Sequence, residues 1–462
     1  MKANTMIQSL TTDSSGKEKN EAKDCRFKCR ESPLTTTFNS QGGEVVYSFL
    51  LSFVVLWFLM EGIRYYFLPE LFRDDLSFLN RCFTSISIAF YSMFLIHVPI
   101  FVILYPAAKL TSAQESRLLI ALSTAATLLL ILITPLVLVS RYETSLLMRW
   151  IMALEQVRVF MKVVSYSVEI CQLQKVQTLR SPNSKSPPSG MKNQDDSVDE
   201  PKFKALLYFL FAPTLIYQPT YPSLGRPPNY AFIARCAIGI IVFLVATLIV
   251  FRRHYEPAMY EIGAYPLSQL SVDNVISIFI WSTIMGWFGV ISVFFAFLHC
   301  WLNICAELLD FGDRQFQKAW WQCYGLDEYM RTWNYLVHSW ISSYIFKPVI
   351  SVTKSKQVAQ LVGLLLSNLI HDYLMSMAGG VVTCIFTPVL VCILIPTVLL
   401  AKPANHVQTK MGCNFFTFFV LTATATVVGL VGGSEYVTRF VYCVDPHRSP
   451  FNIMPGIFNC EW

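Results

Sequence analysis

One apolar run in the chain carries ionisable groups at its centre. It reads LVGLLLSNLIHDYLMSMA from residue 361, with His371 and Asp372 in its middle. An ionisable side chain at membrane depth is costly, so by default it marks a functional site. A neutral imidazole is the cheapest such group to bury and can serve as a general base at neutral pH. Ser367 lies four residues earlier, on the same face of a helix, where it could orient the ring. The chemistry open to this set is removal of a proton from a hydroxyl. A hydrogen bond between helices, with no chemistry at all, uses the same residues.

A second concentration lies in the polar stretch that follows residue 311. Trp320, Trp321, Tyr329, Arg331, Trp333, Asn334, His338, Trp340 and Lys347 crowd aromatic and basic groups into one loop. Such a mixture suits an amphipathic helix lying in the membrane interface. It also suits the mouth of a site for a ligand with an anionic head and an apolar tail. Arg331 and Lys347 would then meet phosphates, and the Trp rings would line the tail's entry. Nucleophilic chemistry has little support, because no GxSxG elbow, phosphate-cradling glycine loop or HExxH pair occurs. The 13 cysteines form no CxxC pair. No metal site and no cofactor are expected.

The elements that must position these groups follow from composition. Of 462 residues, 54% are hydrophobic and 14% charged. Soluble domains carry about 25% charged residues, so a water-soluble globule of this length is excluded. A net charge of +6 spread over the chain argues against a nucleic-acid partner. The expected fold is all-α, a polytopic bundle of about nine transmembrane helices, each needing roughly 20 apolar residues. The apolar stretches lie near 44–61, 83–106, 117–139, 142–166, 230–251, 274–305, 358–378, 379–401 and 414–433. The fourth carries Arg149, Glu155, Arg158 and Lys162, and an interfacial position is open to it.

Five regions follow from this division. Residues 1–43 are expected to be a disordered cytosolic tail, and 44–166 the N-terminal membrane helices. Residues 167–229 read as a cytosolic linker with an interfacial helix. The region 230–433 reads as a membrane core with a cytosolic loop at 306–357, and 434–462 as a lumenal tail. Counting Lys and Arg gives 23 on the side of the N-terminus and 8 on the other, which orients the N-terminus to the cytosol.

Several segments together resemble the sterol O-acyltransferase (ACAT) branch of the membrane-bound O-acyltransferases. ISVFFAFLHCWLNICAELLDFGDRQF from residue 291 is similar to that family's FFAFLHCWLN and FGDR segment. APTLIY at 212–217, EQVRVFMK at 155–162, RTWN at 331–334 and SNLIHDY at 367–373 each match a block of the family. The family's FYxDWWN appears here as FQKAWWQ, with Gln317, Ala319 and Gln322 in place of Tyr, Asp and Asn.

The resemblance implies transfer of a long-chain acyl group from acyl-CoA, a co-substrate, to a sterol or other lipid alcohol. The setting would be the bilayer of the endoplasmic reticulum, and the assembly a homo-oligomer. His371 would take the catalytic position, supported by Ser367, Asp372 and Trp321, and Gln322 would stand where the family's Asn holds the donor carbonyl. Trp320, Tyr329, Arg331, Asn334, His338 and Lys347 would bind acyl-CoA. The family's tail cysteines would correspond to a Cys443–Cys460 disulfide. A diacylglycerol acyltransferase, a protein acyltransferase and a non-catalytic lipid-binding homologue remain alternatives.

Overall fold

A computed structural model describes residues 27–110, 117–180, 203–257, 271–323 and 326–379, together with Thr422, Thr426 and Gly429. The last two expected spans, apart from Gly379, Thr422, Thr426 and Gly429, and the tail pair Cys443 and Cys460 lie outside the described residues, as do residues 1–26.

The described chain is helical, as the apolar periodicity and composition require. Its helices are α1 (Pro33–Phe38), α2 (Gln41–Phe67), α3 (Pro69–Cys82), α4 (Ile86–Pro99), α5 (Tyr105–Leu110), α6 (Arg117–Arg141), α7 (Leu146–Arg180) and α8 (Phe203–Phe211). Then come α9 (Tyr230–Val250), α10 (Val272–Ser292), α11 (Leu302–Leu308), α12 (Leu326–Thr332), α13 (Tyr335–Ile341), α14 (Lys347–Thr353) and α15 (Lys356–Gly379). Among the described residues five helical stretches are long and apolar enough to cross a membrane, at 69–110, 117–141, 230–255, 272–308 and 356–379. The protein is an all-α polytopic membrane protein.

Local chemistry starts these helices. Ser40 accepts a hydrogen bond from the Gly43 amide at the head of α2, and Asn229 does the same for Phe232 at the head of α9. Among the described residues four wide π-helical turns interrupt the runs, at Ile100–Leu104, Phe251–Tyr255, Val293–Trp301 and Ser342–Phe346. Such turns gather at functional positions because they re-aim the side chains that follow.

The charges on the fourth expected span are explained by its packing. α7 is 35 residues long and runs past the expected end at 166. Arg149 and Lys162 are buried, so the charged face turns into the protein and α7 is not a surface helix. Lys162 Nζ donates to the carbonyls of Leu210 and Ala212 at 2.9 and 2.8 Å, and also to Phe209 at 2.5 Å. These are carbonyls at the end of α8, which a helix leaves without internal partners. α7 thereby becomes a spine. Val159, Val163, Tyr166 and Ile170 meet Ile96 of α4 and Ile100 just after it, Ile120 and Ile131 of α6, and Leu206 and Phe209 of α8.

The expectation of a disordered tail over 1–43 is corrected for its last part. Residues 27–38 are packed: Ser32 and Leu34 are buried, and Phe27 and Phe38 lie against the cluster around Phe311 and Phe316. Among the described residues the only β pairing is a parallel bridge between Arg30 and Asp313. The polar composition hid this because three apolar side chains and one Arg suffice to dock so short a segment on a partner loop far along the chain.

Candidate acyl-transfer site

The loop after α11 folds on its aromatic residues. Trp320 is the hub: its ring stands edge-on to Phe294 at 5.0 Å and to Trp333 at 4.8 Å, with Trp321 at 5.6 Å and Tyr329 at 6.3 Å. Such edge-to-face pairs add to simple area burial. Tyr329 is buried, which pushes its phenol above the ordinary range. The short turn Trp320–Gln322 closes the cluster. It leaves the Gln322 side chain exposed.

Beside this cluster lies a cavity of about 340 Å³. Its walls come from four places in the chain: the segment at Phe27 and Arg30, the APTLIY stretch at Pro213–Ile216, the loop from Phe311 to Lys318, and the helix from Tyr335 to Lys347. Lys318, His338 and Lys347 face it together with Ser339, Ser342 and Ser343. A lining of cations and hydroxyls is suited to phosphate and amide groups. The π-helical turn Ser342–Phe346 brings both of its serines to the wall.

α7 holds two of these walls. Trp340 donates its indole N–H to Met161 O at 2.8 Å, and Ser165 Oγ and Tyr344 Oη are 2.8 Å apart. The Tyr217 amide donates to the same Ser165 oxygen at 2.7 Å. α7, through Met161 of the EQVRVFMK block and Ser165 just beyond it, thus braces the APTLIY stretch against the helix from Tyr335 to Lys347.

Of the residues expected to bind a donor, His338 and Lys347 meet at the cavity, while Trp320, Trp321 and Tyr329 meet in the aromatic cluster. Arg331 is exposed on α12. Asn334 caps α13, accepting from the Val337 amide at 3.2 Å, so its carboxamide shapes the helix start. Lys318, Arg30, Gln315 and the three serines were missed. The FGDRQF block was the available signal for Gln315, whereas nothing in the sequence singled out Arg30.

His371 stands on α15 and is exposed, where burial was expected. The helix register gives the reason: the buried face takes Asn368, Asp372 and Met375, and turns His371 away. Its Nδ1 lies 2.6 Å from the backbone carbonyl of Ser367, so the orienting contact comes from the main chain and not from the hydroxyl. Neither His371 nor Gln322 lines the cavity. A further histidine, His299, is buried on the π-helical stretch Val293–Trp301, with Nδ1 3.5 Å from Ser32 Oγ and 3.4 Å from Asn303 Nδ2. Among the described residues no group of three or more His, Cys, Asp or Glu could hold a metal ion.

The sequence model of the membrane-bound O-acyltransferase family matches residues 113–416, which includes the cavity walls other than the N-terminal one, the aromatic cluster and α15. The chain belongs to the membrane-bound O-acyltransferase family. Within the family, it is 33% identical over 236 residues to sterol O-acyltransferase 2 of Homo sapiens, covering 50% of this chain and 41% of that protein. It is 34% identical over 235 residues to sterol O-acyltransferase 1 of Rattus norvegicus, covering 49% and 39%. It is also 31% identical over 250 residues to diacylglycerol O-acyltransferase 1-2 of Oryza sativa subsp. japonica, covering 52% and 50%. The alignments thus span half or less of these membrane-bound O-acyltransferase relatives. The two sterol O-acyltransferase likenesses support the sterol branch named from the motifs.

Proposed function

We propose that this chain transfers a long-chain acyl group from acyl-CoA to the hydroxyl of a sterol within the endoplasmic reticulum membrane. The observation that carries this reading is the cavity lined by Lys318, His338, Lys347 and serine hydroxyls, set beside the Trp320 cluster in a member of this family. Cations and hydroxyls suit the head of acyl-CoA, and the indole rings suit the start of its chain. Arg331, Tyr329, Asn334 and Trp320 shape the approach to it.

In the proposed reaction His371 takes the proton from the sterol hydroxyl as its oxygen attacks the thioester carbonyl. Gln322 donates a hydrogen bond to the oxyanion that forms, and Trp321 packs beside the acyl chain. The tetrahedral intermediate then collapses and the C–S bond breaks. The thiol of free coenzyme A has an ordinary pKa near 8.5, so it leaves readily and takes up the proton. Asp372 and Ser367 support the helix turn that aims His371. Function as a homo-oligomer belongs to the same reading.

Expression in cells that lack sterol esters, followed by lipid analysis, tests it. Wild-type protein is expected to generate sterol esters, and membrane-inserted protein that generates none overturns the reading. The likeness to the rice diacylglycerol acyltransferase favours a second acceptor. Accumulation of triacylglycerol in the same cells would select it.

A further inference from the structure

The segment ahead of α1 is clasped to the loop that lines the cavity. The Arg30 amide donates to Gly312 O at 2.9 Å, and the Arg314 amide donates back to Arg30 O at 2.8 Å. The Arg30 guanidinium donates to both carboxylate oxygens of Asp313, at 3.1 and 2.6 Å, and to Gln315 Oε1 at 2.5 Å. The Asp313 side chain is 5% exposed and that of Arg30 37%. A two-pronged pair with one partner buried is the geometry in which an ion pair contributes most reliably. The approach is as close as glycine permits, because a Cβ on Gly312 would stand 2.8 Å from Cys29 Sγ and 2.9 Å from Pro222 O.

An anchor for α2 would need only the apolar contacts of Leu34 and Phe38. This segment also places Phe27 and Arg30 in the cavity wall, alongside Asp313 and Gln315, which Arg30 holds. Among the described residues of that lining Asp313 is the one carboxylate. Left uncompensated, its charge would oppose any anion that approaches Lys318, His338 and Lys347.

We propose that residues 27–38 form a strap that completes the donor cavity, with Arg30 as a positioning residue. Arg30 fixes the loop Phe311–Gln317 and neutralises Asp313, so that an anionic donor meets the basic wall. The inference rests on the acyl-CoA reading of the cavity.

The test measures palmitoyl-CoA binding and ester formation with purified full-length protein. Arg30→Ala is expected to raise Kd and KM for palmitoyl-CoA by roughly tenfold, the size of one charge-assisted hydrogen bond, with kcat within about twofold of wild type. Arg30→Lys retains the charge and is expected to recover part of the affinity. Removing the carboxylate as well, in Arg30→Ala with Asp313→Asn, is expected to bind more tightly than Arg30→Ala alone. Loss of a merely structural clasp would give no such recovery. Where Arg30→Ala does not fold, Arg30→Gln is used in its place. An unchanged Kd in the single variant, or a double variant no better than the single, overturns the strap. Failure of the wild-type protein to bind palmitoyl-CoA overturns the donor reading itself, and is seen before any variant is made.

Discussion

Tyr373 donates its hydroxyl to Gln156 Oε1 at 2.6 Å, tying α15 to α7 two residues beyond His371. The same Gln156 donates its amide to the carbonyls of Ile131 and Leu132, at 2.9 and 3.0 Å. Pro135 lies within α6 and has no N–H to offer the carbonyl four residues back, which is that of Ile131. Gln156 therefore fills a gap that the proline opens, and passes the order on to α15.

Tyr373→Phe removes this donor and leaves a buried amide oxygen unpaired, which should cost about 1–3 kcal/mol. Thermal unfolding in detergent is expected to show a lower Tm. Gln156→Leu should lower it further, because the Ile131 carbonyl is stranded as well. A wild-type Tm in Tyr373→Phe would mean that the link contributes nothing.

Lys162 is fully buried, with its Nζ donating to three carbonyls at the end of α8. Lys162→Met fits the volume but strands those acceptors, and a loss of about 3 kcal/mol or more is expected. The readout is again Tm, with palmitoyl-CoA affinity as a second measure, since α8 leads directly into the cavity wall at Pro213–Ile216.

His371→Ala should abolish ester formation in protein that still inserts in the membrane, because loss of a general base costs about 100-fold or more. Activity above about one-tenth of wild type would remove His371 from the proposed mechanism.

Gln322→Ala is expected to lower kcat by about 100-fold if its amide meets the oxyanion. Gln322→Asn should match or exceed wild type, since it restores the shorter amide of the family's block. Steady-state kinetics on both variants decide the point, and a harmless Ala excludes the role.

Asp310 gives a pH prediction. Ser223 donates to its carboxylate, with the amides of Gly225 and Leu224 beside it, and these hold its pKa below the ordinary range. A depressed folded-state value means that its stabilisation is complete above the unfolded pKa, near 3.9, and is lost as pH falls through the folded value. Melting curves from pH 5 to 3 are expected to fall more steeply for wild type than for Asp310→Asn. Parallel curves would show that Asp310 does not govern the acid limb.

The sequence alone determined the helical membrane class, because apolar runs of span length admit few other structures in a bilayer. The EQVRVFMK, APTLIY, FGDRQF and RTWN blocks were legible as well, since local residue types and their order carry them. Tertiary structure decided the rest. The charges on α7 could be read as interfacial until the end of α8 supplied carbonyls for Arg158 and Lys162 and α4 brought His97 to Glu155. Asn334 looked like a ligand-binding amide until the start of α13 consumed it as a cap. His371 looked buried because composition reports how apolar a helix is, whereas helix register and neighbours decide which face is covered. Arg30 was invisible for the plainest reason: its partner Asp313 lies 283 residues away, and no local pattern reports a contact that only the folded chain creates.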